Sequence, residues 1–99
     1  EFQPNSTSDV TALERVVRHT TRELSGDRER QTVDMEVAFS NATDRAQTVE
    51  LVQPIVGDSQ RLSNASAKWA MQDGAPTFTI VAPPHDRVTV TYRVTYIED

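Results

Sequence analysis

The hydrophobic and polar positions of this chain alternate with a period of two over most of its length. The clearest case is the last segment, Arg87 to Ile97. Val88, Val90, Tyr92, Val94 and Tyr96 share one parity, and Thr89, Thr91, Arg93 and Thr95 the other. Successive side chains of a strand point to opposite faces, so this pattern predicts a strand with one buried and one wet face. Both sets are β-branched or aromatic, or flank such residues, as strands favour. Thr32 to Ser40 repeats the pattern, with Val33, Met35, Val37 and Phe39 on one side and Asp34, Glu36 and Ser40 on the other. Asn41-Ala42-Thr43-Asp44-Arg45 has turn composition. A strand then resumes over Gln47 to Gln53 with Val49 and Leu51 inward, and the two are expected to form a hairpin. Pro54 and Gly57-Asp58 break the chain before a short edge strand at Arg61 to Ser63. Lys68 to Met71 and Thr77 to Val81 flank Asp73-Gly74, a favoured two-residue hairpin turn. Trp69 and Met71 share a side with Phe78 and Ile80, and the core is the expected place for the single tryptophan.

The segment Val10 to Leu24 is ambiguous. Leu13, Val16, Val17, Thr20 and Leu24 fall at helical spacing, with Asp9 and Gly26 as candidate caps. Its β-branched residues and the six other strand-like segments favour a long first strand instead. The links are too short for parallel crossovers, which take a dozen residues or more. The expectation is therefore all-β: an immunoglobulin-like antiparallel sandwich of about seven strands. Residues 9–99 form its single domain. Residues 1–8 read as a loose linker, and a chain that opens Glu1-Phe2 without Met reads as a piece of a longer protein.

Composition narrows the function more by exclusion than by signature. The 99 residues hold 36% hydrophobic and 25% charged side chains, with a formal charge of -5. An acidic balance argues against general nucleic-acid binding, which needs clustered positive charge. No apolar run is long enough to span a membrane as a helix. There is no cysteine, hence no disulfide, thiol nucleophile or thiolate metal site. Three glycines, among them those of Ser25-Gly26-Asp27 and Asp73-Gly74, form no phosphate-binding loop.

The stretch from Asp9 to Ile97 resembles a known family. Asp9-Val10-Thr11-Ala12 with Glu14-Arg15 looks like its opening strand. Val37-Ala38-Phe39-Ser40-Asn41 followed by Gln47-Thr48-Val49-Glu50-Leu51 looks like its central hairpin. Pro83 before Val88-Thr89-Val90-Thr91-Tyr92-Arg93-Val94 looks like its closing strand. These features resemble the C-terminal β-sandwich domain of uncharacterised function in the mucoidy-inhibitor-like proteins of bacteria. The resemblance implies a sandwich in an extracytoplasmic, envelope-associated or secreted parent. It brings no catalytic motif.

Candidate chemistry is sparse. His19 and His85 are the two histidines, and neither has the companions a zinc site requires. Asp34 and Glu36 are neighbours on a strand face, but that face is the polar one, with no pocket to separate their protonation states. Asn5, Asn41 and Asn64 each open an N-x-[ST] sequon. Arg15, Arg18, Arg22, Arg28 and Arg30 concentrate positive charge in the first third, partly offset by Glu14, Glu23, Asp27 and Glu29, and Arg15, Arg18 and Arg22 are the candidate partner face. No catalytic residue, cofactor or metal is expected. The expected function is structural or interaction-based, with other domains of the parent or an envelope protein as partner. A peptide- or glycan-binding module and a supporting domain of an enzyme are the alternatives.

Overall fold

A computed structural model describes the backbone of Phe2–Pro4 and residues 9–99 in full. Among the described residues there are eight strands and no helix. They are β1 (Phe2–Pro4), β2 (Val10–Glu23), β3 (Glu29–Asn41), β4 (Gln47–Val52), β5 (Asp58–Ser63), β6 (Trp69–Gln72), β7 (Ala75–Ala82) and β8 (Asp86–Glu98). Every pairing is antiparallel, in one sheet of order β2-β3-β8-β5 and another of order β1-β4-β7-β6. The all-β sandwich expected from the alternation is the observed architecture, and Val10 to Glu23 is a strand, not a helix. Of the segment read as a linker, Phe2–Pro4 pair with β4; residue 1 and residues 5–8 lie outside the described residues.

The alternating segments explain the core. Val37 and Phe39 of β3 and Val90, Tyr92 and Val94 of β8 face Val49 and Leu51 of β4 and Phe78 and Ile80 of β7, all buried. The Phe78 and Tyr92 rings pack at 5.2 Å, tilted by 39°. Complete burial of Phe39 and of Phe78 contributes about 1.5–3 kcal/mol each.

The two sheets differ in length. β2, β3 and β8 run for 14, 13 and 13 residues, whereas β4, β7 and β6 have 6, 8 and 4. At about 3.4 Å per residue the long sheet outruns its cover, which accounts for a molecule of 54 × 26 × 20 Å. The overhanging half holds the β2–β3 hairpin tip, the end of β8, and β5.

Two expectations need correction. β3 and β4 are not a hairpin. They lie in opposite sheets, because Val37 and Phe39 bury their faces against Val49 and Leu51 across the core instead of beside them in one ladder. Trp69 is not in the core. It pairs with Phe78, but β6 is a sheet edge and leaves the indole 39% exposed, with Met71 at 59%. The Asp73-Gly74 turn does form, with φ of 50° and 81°, the positive pair that a type I′ turn requires.

A candidate partner face

The outer face of the long sheet gathers most of the positive charge. Arg15 and Arg18 have opposite parity in the sequence, so an unbroken strand would point them to opposite sides. The register between β2 and β3 shifts between Val16 and Arg18, where Val17 is an extra residue. That bulge restores the parity, and Arg15, Arg18 and Arg22 share the outer face, opposite Glu36, Asp34 and Arg30 respectively. Arg87 and Arg93 of β8 and Arg61 of β5 stand on the same side by register. Seven of the ten cationic side chains therefore occupy one face, against three acidic ones, Asp34, Glu36 and Asp58. This leaves four net positive charges there, while the other eleven described acidic residues, against three cationic ones, make the remainder strongly negative. The sequence reading named Arg15, Arg18, Arg22 and Arg30 among its positive cluster. It missed Arg61, Arg87 and Arg93, which lie far from that cluster in the chain and join it only through strand pairing.

Two acids hold part of this charge. Arg93 Nε donates to Asp34 Oδ1 at 2.7 Å and its Nη2 to Oδ2 at 3.3 Å. Arg15 Nη2 donates to Glu36 Oε2 at 3.0 Å. The Arg93 hydrogen bond holds the Asp34 carboxyl below its usual range, opposed by desolvation and assisted by the charges of Arg93 and Arg18. Asp34 and Glu36, weighed above as an acid–base pair, are thus each spent on an arginine.

The remaining candidates fall elsewhere. His19 faces the opposite side of β2 from Arg18, with Nε2 2.7 Å from Gln31 Oε1, which also accepts the Thr21 hydroxyl at 2.7 Å. His85 occupies an exposed turn at φ 50°. Among the described residues no group of three His, Asp or Glu side chains could hold a metal ion. Asn41 is buried and Asn64 exposed at φ 51°; Asn5 lies outside the described residues. No described helix is long and apolar enough to cross a membrane. Comparison with protein-family models, with curated proteins and with solved structures gives no match.

Proposed function

We propose that this chain is a non-catalytic recognition module that docks an acidic protein surface onto the arginine face of its long sheet. The segregation of charge carries the proposal: seven cations share one face of a chain whose net charge is -5. Random placement on a solvated surface mixes signs. A one-sign face steers and orients a partner of the opposite sign. Guanidinium groups suit carboxylates in particular, through paired N–H donors. The partner belongs to the parent protein or its surroundings, and the sequence resemblance to an envelope-associated β-sandwich domain supports a parent outside the cytoplasm.

The test is binding of a fluorescent hexaglutamate peptide, followed by anisotropy at low and at physiological salt. The wild type should bind at low salt and weaken as salt screens the face. Arg15→Glu, Arg18→Glu and Arg22→Glu together should abolish binding while the circular dichroism spectrum stays that of a β protein. Equal binding by the folded triple variant would sink the proposal.

A second reading rests on Trp69. Its exposure beside Met71 on the β6 edge supports a peptide-binding edge, where a partner strand adds to the sheet. An unlabelled peptide partner would then shift the Trp69 emission, whereas docking on the arginine face would leave it unchanged.

A further inference from the structure

We propose that the recess where β5 bulges away from β8 is a binding site for a peptide carboxylate, held between the guanidinium groups of Arg30 and Arg61. The inference rests on the arginine face being the partner surface and names the point on it that takes the ligand's charged group.

Four observations converge there. The recess has a volume of about 700 Å³, within the range of small-ligand sites. Arg30, Arg61, Ser59, Ser63 and Thr95 line it, so its polar groups include two fixed positive charges and three hydroxyl donors and no carboxylate. The two guanidinium groups disfavour a cation, and an oxyanion is what such a donor set stabilises.

Arg30 and Arg61 are also uncommitted. Arg15 and Arg93 are tied to Glu36 and Asp34, and Arg28 to Asp99 at 3.2 Å. Neither Arg30 nor Arg61 makes an ion pair among the described residues. Arg30 moreover stands directly opposite Arg22 in the β2–β3 ladder. Like charges in that position destabilise a sheet, and a bound anion relieves the repulsion.

The backbone around the recess is strained in a way that shapes it. Asp58 pairs with Ile97 but Arg61 with Thr95, so β5 carries one extra residue against β8. Ser59, inside that bulge, has φ 56°. Bulges re-aim side chains, and strained conformations in non-glycine residues concentrate at binding sites. Here the bulge takes Ser59 and Gln60 out of register with β8, and Arg61 resumes the ladder opposite Thr95 at the border of the recess.

Leu62, Ile97 and the ring of Tyr96 make up the apolar part of the lining. A bare inorganic anion would leave that surface wet. A carboxylate attached to a peptide places a neighbouring aliphatic side chain against it. The carboxylate belongs either to the chain terminus or to an acidic side chain, and the probes separate these sources.

Three pentapeptides test this by titration calorimetry at low salt: an all-leucine peptide with a free C-terminus, the same length amidated with one central glutamate, and an amidated neutral peptide, all acetylated at the N-terminus. One or both carboxylate peptides should bind about tenfold or more tightly than the neutral one, since the neutral peptide lacks a charged hydrogen-bonding partner for the guanidinium groups. Whichever binds identifies the source. Arg30→Ser with Arg61→Ser should remove the difference, with the β-type circular dichroism spectrum retained, and Arg30→Lys with Arg61→Lys should restore part of it. If the double serine variant binds like the wild type while Arg15→Ser with Arg18→Ser weakens hexaglutamate binding, the recess is not the site and the arginine face still stands. Equal binding of all three peptides to the wild type overturns the recess, and failure of hexaglutamate as well overturns the face with it.

Discussion

Asn41 ties the two sheets together by donating from Nδ2 to the backbone carbonyl of Ala82 at 3.0 Å, from the end of β3 to the end of β7. The same nitrogen donates to the Arg45 carbonyl at 2.7 Å, and Oδ1 accepts from the Thr43 N–H at 2.9 Å and hydroxyl at 2.7 Å. The side chain is 3% exposed. Its amide nitrogen, the atom a glycan would occupy, is thus fully engaged, and the folded protein has no room for a glycan at this sequon. Asn41→Ala should cost about 2–3 kcal/mol, because buried groups lose their partners. Urea denaturation measures this directly. A loss below about 1 kcal/mol would show that the Asn41 bonds do not clamp the sheets. Asn64→Gly, at an exposed positive φ that glycine adopts freely, should stay within about 0.5 kcal/mol of the wild type.

Acid should weaken the fold partly through Asp34. Its pKa lies below the ordinary 3.8, first because the Arg93 side chain donates to the carboxylate. A depressed folded-state pKa adds stability that is complete above the unfolded value and disappears as pH falls through the folded one. The pair is partly exposed, with 39% of Arg93 and 26% of Asp34 accessible, so solvent and salt moderate the effect. Melting temperatures between pH 6 and pH 2 should fall less steeply below pH 4 for Asp34→Asn than for the wild type. Parallel curves would mean that the Arg93 bond carries none of the acid limb.

The strands of the core were legible in the sequence because each buries one face, and the alternation of Val37, Phe39, Val90, Tyr92 and Val94 records that burial residue by residue. β2 was obscure for a physical reason. Only Val10 is buried along its 14 residues, and Leu13, Val16 and Val17 are 66%, 55% and 54% exposed. An edge strand with two wet faces need not alternate, and the Val17 bulge flips what parity there is. The result mimics helical spacing. The same bulge is what brings Arg15 and Arg18, opposed in sequence parity, onto the one face, and the contributions of Arg61, Arg87 and Arg93 to it had no local signal at all. The β3–β4 arch was misread because Asn41 to Arg45 has the composition of a hairpin turn. No local signal reveals that Asn41 reaches across to the other sheet.

Alkali should expose a second titration. Tyr92 is pushed up to about 12, first by burial and then by the nearby charge of Glu14. Its hydroxyl donates to Gln53 Oε1 at 2.9 Å. A phenol whose folded pKa exceeds the unfolded value of 10.0 contributes stability that is complete below 10 and lost as pH rises toward 12. Absorbance at the phenolate band should show a late-titrating tyrosine that is missing from Tyr92→Phe. The variant should also lose less stability than the wild type between pH 9 and pH 11, over the onset of that titration. Identical alkaline profiles would refute a buried, protonated Tyr92.

The glycines offer the sharpest structural contrast, because two of them have open surroundings and one does not. A Cβ on Gly26 or Gly74 would meet nothing within 4 Å. A Cβ on Gly57 would lie 2.5 Å from the Ile97 carbonyl oxygen and 2.6 Å from Tyr96 Cδ2. All three have positive φ. Gly74→Ala should therefore cost only the left-handed conformational penalty of about 1–2 kcal/mol. Gly57→Ala adds the clash with the end of β8, where backbone cannot yield without breaking the β5–β8 ladder. Its cost should exceed that of Gly74→Ala by about 1–3 kcal/mol, the usual range for overpacking. Guanidinium denaturation of the two variants settles the comparison. Since Gly57 sits next to the bulge, Gly57→Ala should also weaken carboxylate-peptide binding in its folded fraction, whereas Gly74→Ala should not. Equal stabilities for the two variants would mean that the chain before β5 does not pack closely on Tyr96 and Ile97, and the recess would lose the contact that holds its shape.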